Sequence, residues 1–110
     1  MPLESAEFEY VAEIAPNHPS ANGHFIGNPI IPGAVILEYV RIAFERFKSH
    51  ARLQSIIKAK HLRVLRPGHS LVVRIRERGA DRYSFSCLDD DGNEVTAGDF
   101  RAALVRNAEA

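Results

Sequence analysis

Hydrophobic and polar positions trade places at two different periods along this chain. Phe8, Tyr10, Ala12 and Ile14 alternate with Glu7, Glu9 and Glu13, so residues 8–14 read as a strand with one wet face. Pro16, Asn17, His18, Pro19 and Ser20 then break the pattern. Residues 34–49 hold good helix formers with no interior Gly or Pro, and their first two turns are apolar on nearly every side. That predicts a helix wrapped by other structure rather than one lying on a surface. Period two then returns. A strand is expected over 53–65, ended by Arg66, Pro67 and Gly68. Within 70–78, Leu71, Val73 and Ile75 alternate with Arg74 and Arg76; Tyr83, Phe85 and Cys87 share one side of 83–88. The run Asp90-Asp91-Gly92-Asn93 turns the chain into a last strand over 94–105.

One helix and about five strands, the last four expected in meander order, give an α+β architecture: an antiparallel sheet wrapped round a central helix. The 110 residues are expected to form a single domain over 1–110. A sheet of this size cannot enclose the helix on all sides. The uncovered remainder predicts a homodimer, with a higher or hetero-oligomer as the alternative.

Composition adds little to this, whereas the distribution of charge adds more. Net charge is zero, yet residues 46–78 hold ten Lys/Arg and one acid, Glu77. A basic middle flanked by acidic ends predicts a negatively charged partner, with a solvated strand face as the plainer account of Arg74, Arg76 and Arg78. Nucleic acid is disfavoured, because Phe47 is the only aromatic in that stretch and stacking platforms are missing. No apolar run approaches the roughly 18 residues of a membrane span, and Met1 to Glu7 has neither the basic start nor the apolar core of a signal peptide. The single cysteine, Cys87, allows no internal disulfide and falls on the apolar side of its strand. A cytoplasmic protein with no metal site is expected.

The stretch with most chemistry is Gly23-His24-Phe25-Ile26-Gly27-Asn28-Pro29-Ile30-Ile31-Pro32-Gly33, followed by Glu38. Each piece has a packing explanation: a histidine beside a phenylalanine, a turn shaped by prolines, a surface pair Glu38–Arg41 at i, i+3. Together they make a different case. Gly33 opens the helix, where the first N–H groups lack internal partners and suit an oxygen gaining negative charge. His24 titrates near neutrality, and the apolar neighbours of Glu38 would raise its pKa. These are the parts needed to take a proton from beside a carbonyl and protonate a leaving group.

That motif, with Glu38 fourteen residues after His24, resembles the signature of hot-dog-fold (3R)-3-hydroxyacyl-acyl-carrier-protein dehydratases of the FabA/FabZ type. Similarity continues through Lys60-His61-Leu62-Arg63-Val64-Leu65-Arg66-Pro67-Gly68, and the short chain is most similar to the ApeI-like subgroup. Ile26 stands where the family usually has proline, and Ser20 and Ala21 where bulky aromatics often precede the motif. The resemblance implies that His24 takes the C2 proton of a 3-hydroxyacyl thioester, Glu38 protonates the departing hydroxyl, and Gly33, with Gly27 and Pro32 shaping the turn, receives the thioester carbonyl. It implies a site shared between two protomers and no resident cofactor, the acyl group riding on the phosphopantetheine of an acyl carrier protein or of coenzyme A. Lys58, Lys60, Arg63 and Arg66 are the expected carrier-docking residues. The rival readings are a hot-dog thioesterase, in which Glu38 activates water, and a non-catalytic acyl-binding partner.

Overall fold

Each alternating segment becomes a strand, and the apolar member of each alternation faces one helix. The structure is a computed structural model and describes residues 6–17 and 30–105. Strand β1 is Glu7–Glu13, helix α1 Gly33–Phe47, β2 Ala51–His61, β3 Ser70–Glu77, β4 Arg82–Leu88 and β5 Glu94–Leu104. The five strands form one antiparallel sheet in the order β1-β3-β4-β5-β2.

Leu71, Val73 and Ile75 of β3, Tyr83, Phe85 and Cys87 of β4, and Phe100 and Ala102 of β5 are buried on the face that receives α1. The helix contributes Ile36, Val40, Ala43 and Phe44, spaced as one stripe of a 3.6-residue period. Phe44 is the hub: its ring meets Tyr83 at 4.7 Å and Phe100 at 4.9 Å, both edge-on, the arrangement aromatic quadrupoles favour.

The helix is covered less completely than its apolar sequence predicts. Val35, Leu37, Tyr39 and Ile42 are only half-buried, and Glu38 and Arg46 are exposed. The single chain supplies one sheet face, and nothing among the described residues closes the other side of that stripe.

Meander order holds for β3-β4-β5 but not for β2. Instead of lying beside β3, β2 pairs with the outer side of β5, and the chain crosses to the other half of the sheet before β3. Two register shifts in β2, between Leu53 and Ser55 and between Ile56 and Lys58, fit it to β5. Gly98 makes the fit possible, since a Cβ there would stand 2.0 Å from the Lys58 carbonyl oxygen. Strand alternation reports which side faces the core, not which strand lies alongside.

Much of the basic stretch is answered within the chain. Arg76 and Arg74 lie directly opposite Glu7 and Glu9 in the β1–β3 register; Arg76 bonds Glu7, and Arg74 Nε reaches Glu9 Oε1 at 3.3 Å. Lys48 pairs with Glu77 at 2.7 Å. The arginine row is therefore a solvated strand face.

Candidate active site

The helix start is fixed from outside the helix. Ile31 N–H donates to the Leu65 carbonyl at 2.8 Å, an isolated bridge that ties the incoming segment to the chain just after β2. Pro32 takes the N-cap position, where its missing N–H costs nothing, and its carbonyl accepts from Val35 N–H at 3.0 Å and Ile36 N–H at 3.3 Å. Among the described residues no side chain caps the helix, and no acidic residue lies in its first turn. No described carboxylate therefore answers the positive end of the peptide dipoles at Gly33.

Sequence reasoning missed what stands over that glycine. A Cβ on Gly33 would meet His61 Cε1 at 2.6 Å and Nε2 at 2.7 Å. The last residue of β2 lays its imidazole over Gly33, so any larger residue there would have to displace that ring. His61 lies opposite Thr96 in the β2–β5 register, and its Nδ1 is 3.1 Å from Thr96 Oγ1. Thr96 is fully buried on the core side of β5. The available signal was that hydroxyl: a polar side chain two residues from Gly98 and four from Phe100, on the face otherwise reserved for the core.

Glu38 lies about 7.5 Å along the helix axis from Gly33. Its surroundings differ from those expected. The side chain is 54% exposed and accepts from Arg41 Nε at 2.8 Å, while Arg41 Nη1 donates to Glu45 at 3.0 Å. The Arg41 hydrogen bond holds the Glu38 carboxyl below its usual range, so in the single chain it is ionised. The expectation of a raised pKa fails for a geometric reason. Residues one or two apart on a helix point to different sides, so Ile36, Leu37, Tyr39 and Val40 do not surround Glu38; of the apolar neighbours named only Val35, three residues back and itself half-buried, shares its side.

His24 and Gly27 lie outside the described residues. Lys58, Lys60, Arg63 and Arg66 are all exposed, on β2 and the segment after it, and so flank His61 in sequence. Cys87 is excluded as a nucleophile: burial pushes its thiol up to about 12.

Comparison with known proteins decides the family. The ApeI-like family model, described as ApeI dehydratase, matches residues 2–99. The chain belongs to the ApeI-like dehydratase family. It is 32% identical over 102 residues to 3-hydroxyacyl-[acyl-carrier-protein] dehydratase FabZ of Myxococcus xanthus, an alignment covering 81% of this chain and 67% of that relative. Across the curated FabZ relatives it matches, the chain spans from 56% to 67% of their length.

Solved structures agree on the hot-dog fold. An uncharacterized protein from Erwinia carotovora subsp. atroseptica superimposes with a TM-score of 0.80 at 22% identity, covering 96% of this chain and 89% of that one. The dehydratase heterocomplex ApeI:P from Xenorhabdus doucetiae gives 0.76 at 20%, covering 93% and 90%. The fold also carries a thioesterase superfamily member from Thermus thermophilus, at 0.70 and 14%, covering 97% and 86%. The relatives matched by sequence are dehydratases throughout.

Proposed function

We propose that this chain removes water from a (3R)-3-hydroxyacyl thioester carried by an acyl carrier protein, releasing a trans-2-enoyl thioester. Family membership supports the reading, together with the start of α1 at Gly33, which no described side chain caps. The Gly33 N–H receives the thioester carbonyl, and the helix dipole stabilises charge gathering on that oxygen. His24 takes the proton from C2. The C2–H electrons form the C2=C3 bond, the C3–O bond breaks, and Glu38 gives its proton to the departing hydroxyl, which leaves as water.

Glu38 must be protonated for this step. Its carboxyl therefore has to rise from the low value that Arg41 imposes in the single chain. A second protomer laid over the half-buried Val35, Leu37, Tyr39 and Ile42 brings the required desolvation and delivers the His24 of the other chain. The working unit is a cytoplasmic homodimer, with Lys58, Lys60, Arg63 and Arg66 meeting the acidic carrier. No helix among the described residues is long and apolar enough to cross a membrane.

One observation favours hydrolysis as a second reading: an ionised, exposed Glu38 is the form that would activate water. Incubating the purified protein with carrier-bound 3-hydroxyacyl thioesters of several lengths, with products followed by enoyl-thioester absorbance and mass, tests both. Loss of one water with the thioester intact supports dehydration. Free acid and carrier thiol without enoyl product would replace it with the thioesterase reading.

A further inference from the structure

The dehydratase reading leaves His61 without a task, although its ring, chain neighbours aside, stands nearest to the position a Cβ of Gly33 would take. Resting on that reading, we propose that His61 is a second donor to the thioester carbonyl: its Nε2–H and the Gly33 N–H together hold the oxygen that gains charge as the C2 proton leaves.

Three observations carry this. The first is position. The Cβ direction of a helical residue tilts toward the N-terminus, so a ring nitrogen 2.7 Å from that point on Gly33 stands on the side where the first N–H groups are directed. On this proposal an oxygen bonded to the Gly33 N–H lies within reach of Nε2. The second is the tautomer. A neutral imidazole has one donor and one acceptor nitrogen. The Thr96 hydroxyl is assigned as the donor to Nδ1 across 3.1 Å, which places the ring hydrogen on Nε2. The third is rigidity. His61 itself is exposed, but Thr96 is fully buried and held in the β5 ladder between β2 and β4, so the ring is anchored at Nδ1 from the core side.

The arrangement is chemically economical. Backbone and imidazole donors both point at the oxygen before reaction, so no dipole has to turn as charge develops. Neither donor takes part in proton transfer to or from carbon, which stays with His24 and Glu38.

The test compares His61→Phe, which keeps a ring over Gly33 but removes the donor, with His61→Gln, whose amide nitrogen reaches a similar place. Thermal melts establish that each variant is folded, and two readouts follow. In steady-state dehydration, His61→Phe is expected to lose about 10²-fold in kcat/KM, and His61→Gln to stay within about tenfold of wild type. In infrared difference spectra, a saturated acyl-pantetheine with a 13C-labelled carbonyl should show its carbonyl stretch moved to lower frequency on binding wild type. That shift should shrink in His61→Phe and return in His61→Gln. A folded His61→Phe with wild-type rate and an undiminished shift would overturn the proposal and leave His61 as packing. A wild-type protein that dehydrates no thioester and shifts no carbonyl would instead overturn the dehydratase reading, and this inference with it. Hydrolysis that loses rate in His61→Phe with the carbonyl shift would keep the donor and replace only the reaction.

Discussion

An alanine at Gly33 puts one methyl group where the His61 ring now lies, and the structure sets the consequence. Carbon atoms meet without repulsion at about 3.5–4.0 Å, whereas a Cβ at residue 33 would stand 2.6 Å from His61 Cε1. The imidazole must retreat by about 1 Å, and a retreat that draws Nδ1 off Thr96 Oγ1 breaks their 3.1 Å hydrogen bond. Thr96 is fully buried, so losing that partner costs about 1–3 kcal/mol. Alanine returns at most about 1 kcal/mol of helix propensity over glycine, and less at a first-turn position. The bond loss wins, and Gly33→Ala should destabilise by about 1–2 kcal/mol. In a His61→Ala background there is no ring to displace, so the same substitution should be neutral or slightly stabilising. The double-mutant cycle therefore predicts a coupling of about 1–3 kcal/mol between residues 33 and 61. Urea unfolding of the four proteins at one concentration, which holds any association constant, measures it. Additivity within about 0.5 kcal/mol would refute the contact, and with it the reason given for glycine at this position.

Three other predictions bear on assembly, docking and pH. A 1:1 mixture of His24→Ala and Glu38→Gln, unfolded and refolded together, should recover about one quarter of wild-type activity, because mixed dimers then carry one intact site; no recovery beyond the separate variants would place both residues of a site in one chain. Charge reversal of Lys58 and Lys60 should raise KM for a carrier-bound substrate, progressively less as salt is added, and spare a pantetheine-bound one; equal effects on both substrates would remove docking from these residues. His69 and the Ser70 N–H hold the Asp90 carboxyl below its usual range. A depressed folded-state pKa gives stability that is present above the unfolded value of about 3.9 and lost as pH falls through the folded value. Asp90→Asn should therefore be less stable than wild type at pH 7, with the gap closing in more acidic melts; a gap independent of pH would contradict that assignment.

The sequence yielded elements more readily than their neighbours. Leu71, Val73, Ile75, Tyr83, Phe85 and Cys87 alternate cleanly and are buried as the alternation says, because period two reports a strand's faces directly. The place of β2 beside β5 could not be read that way. It rests on the missing side chain of Gly98 and on two bulges, features that carry meaning only once the partner strand is known. The helix was legible to within two residues at its end, but its apolar surround misled about Glu38, whose sequence neighbours occupy other sides of the helix. The turn before Gly33 marked where the helix begins, and α1 does start at Gly33. His61 did not stand out, since its contacts with Gly33 and Thr96 span 28 and 35 residues of chain and no local pattern encodes them.

The central claim is that Glu38, ionised beside Arg41 in the single chain, serves as the acid that releases water. The most direct measurement is the initial rate of enoyl-thioester formation from one (3R)-3-hydroxyacyl thioester by wild type, His24→Ala, Glu38→Gln and the double variant, with folding verified for each. Each single substitution is predicted to lower the rate by about 10² to 10⁴, and the double variant should be little worse than the worse single, since the two residues act as one unit. If Glu38→Gln dehydrates at the wild-type rate, Glu38 is a surface partner of Arg41 and the mechanism is contradicted.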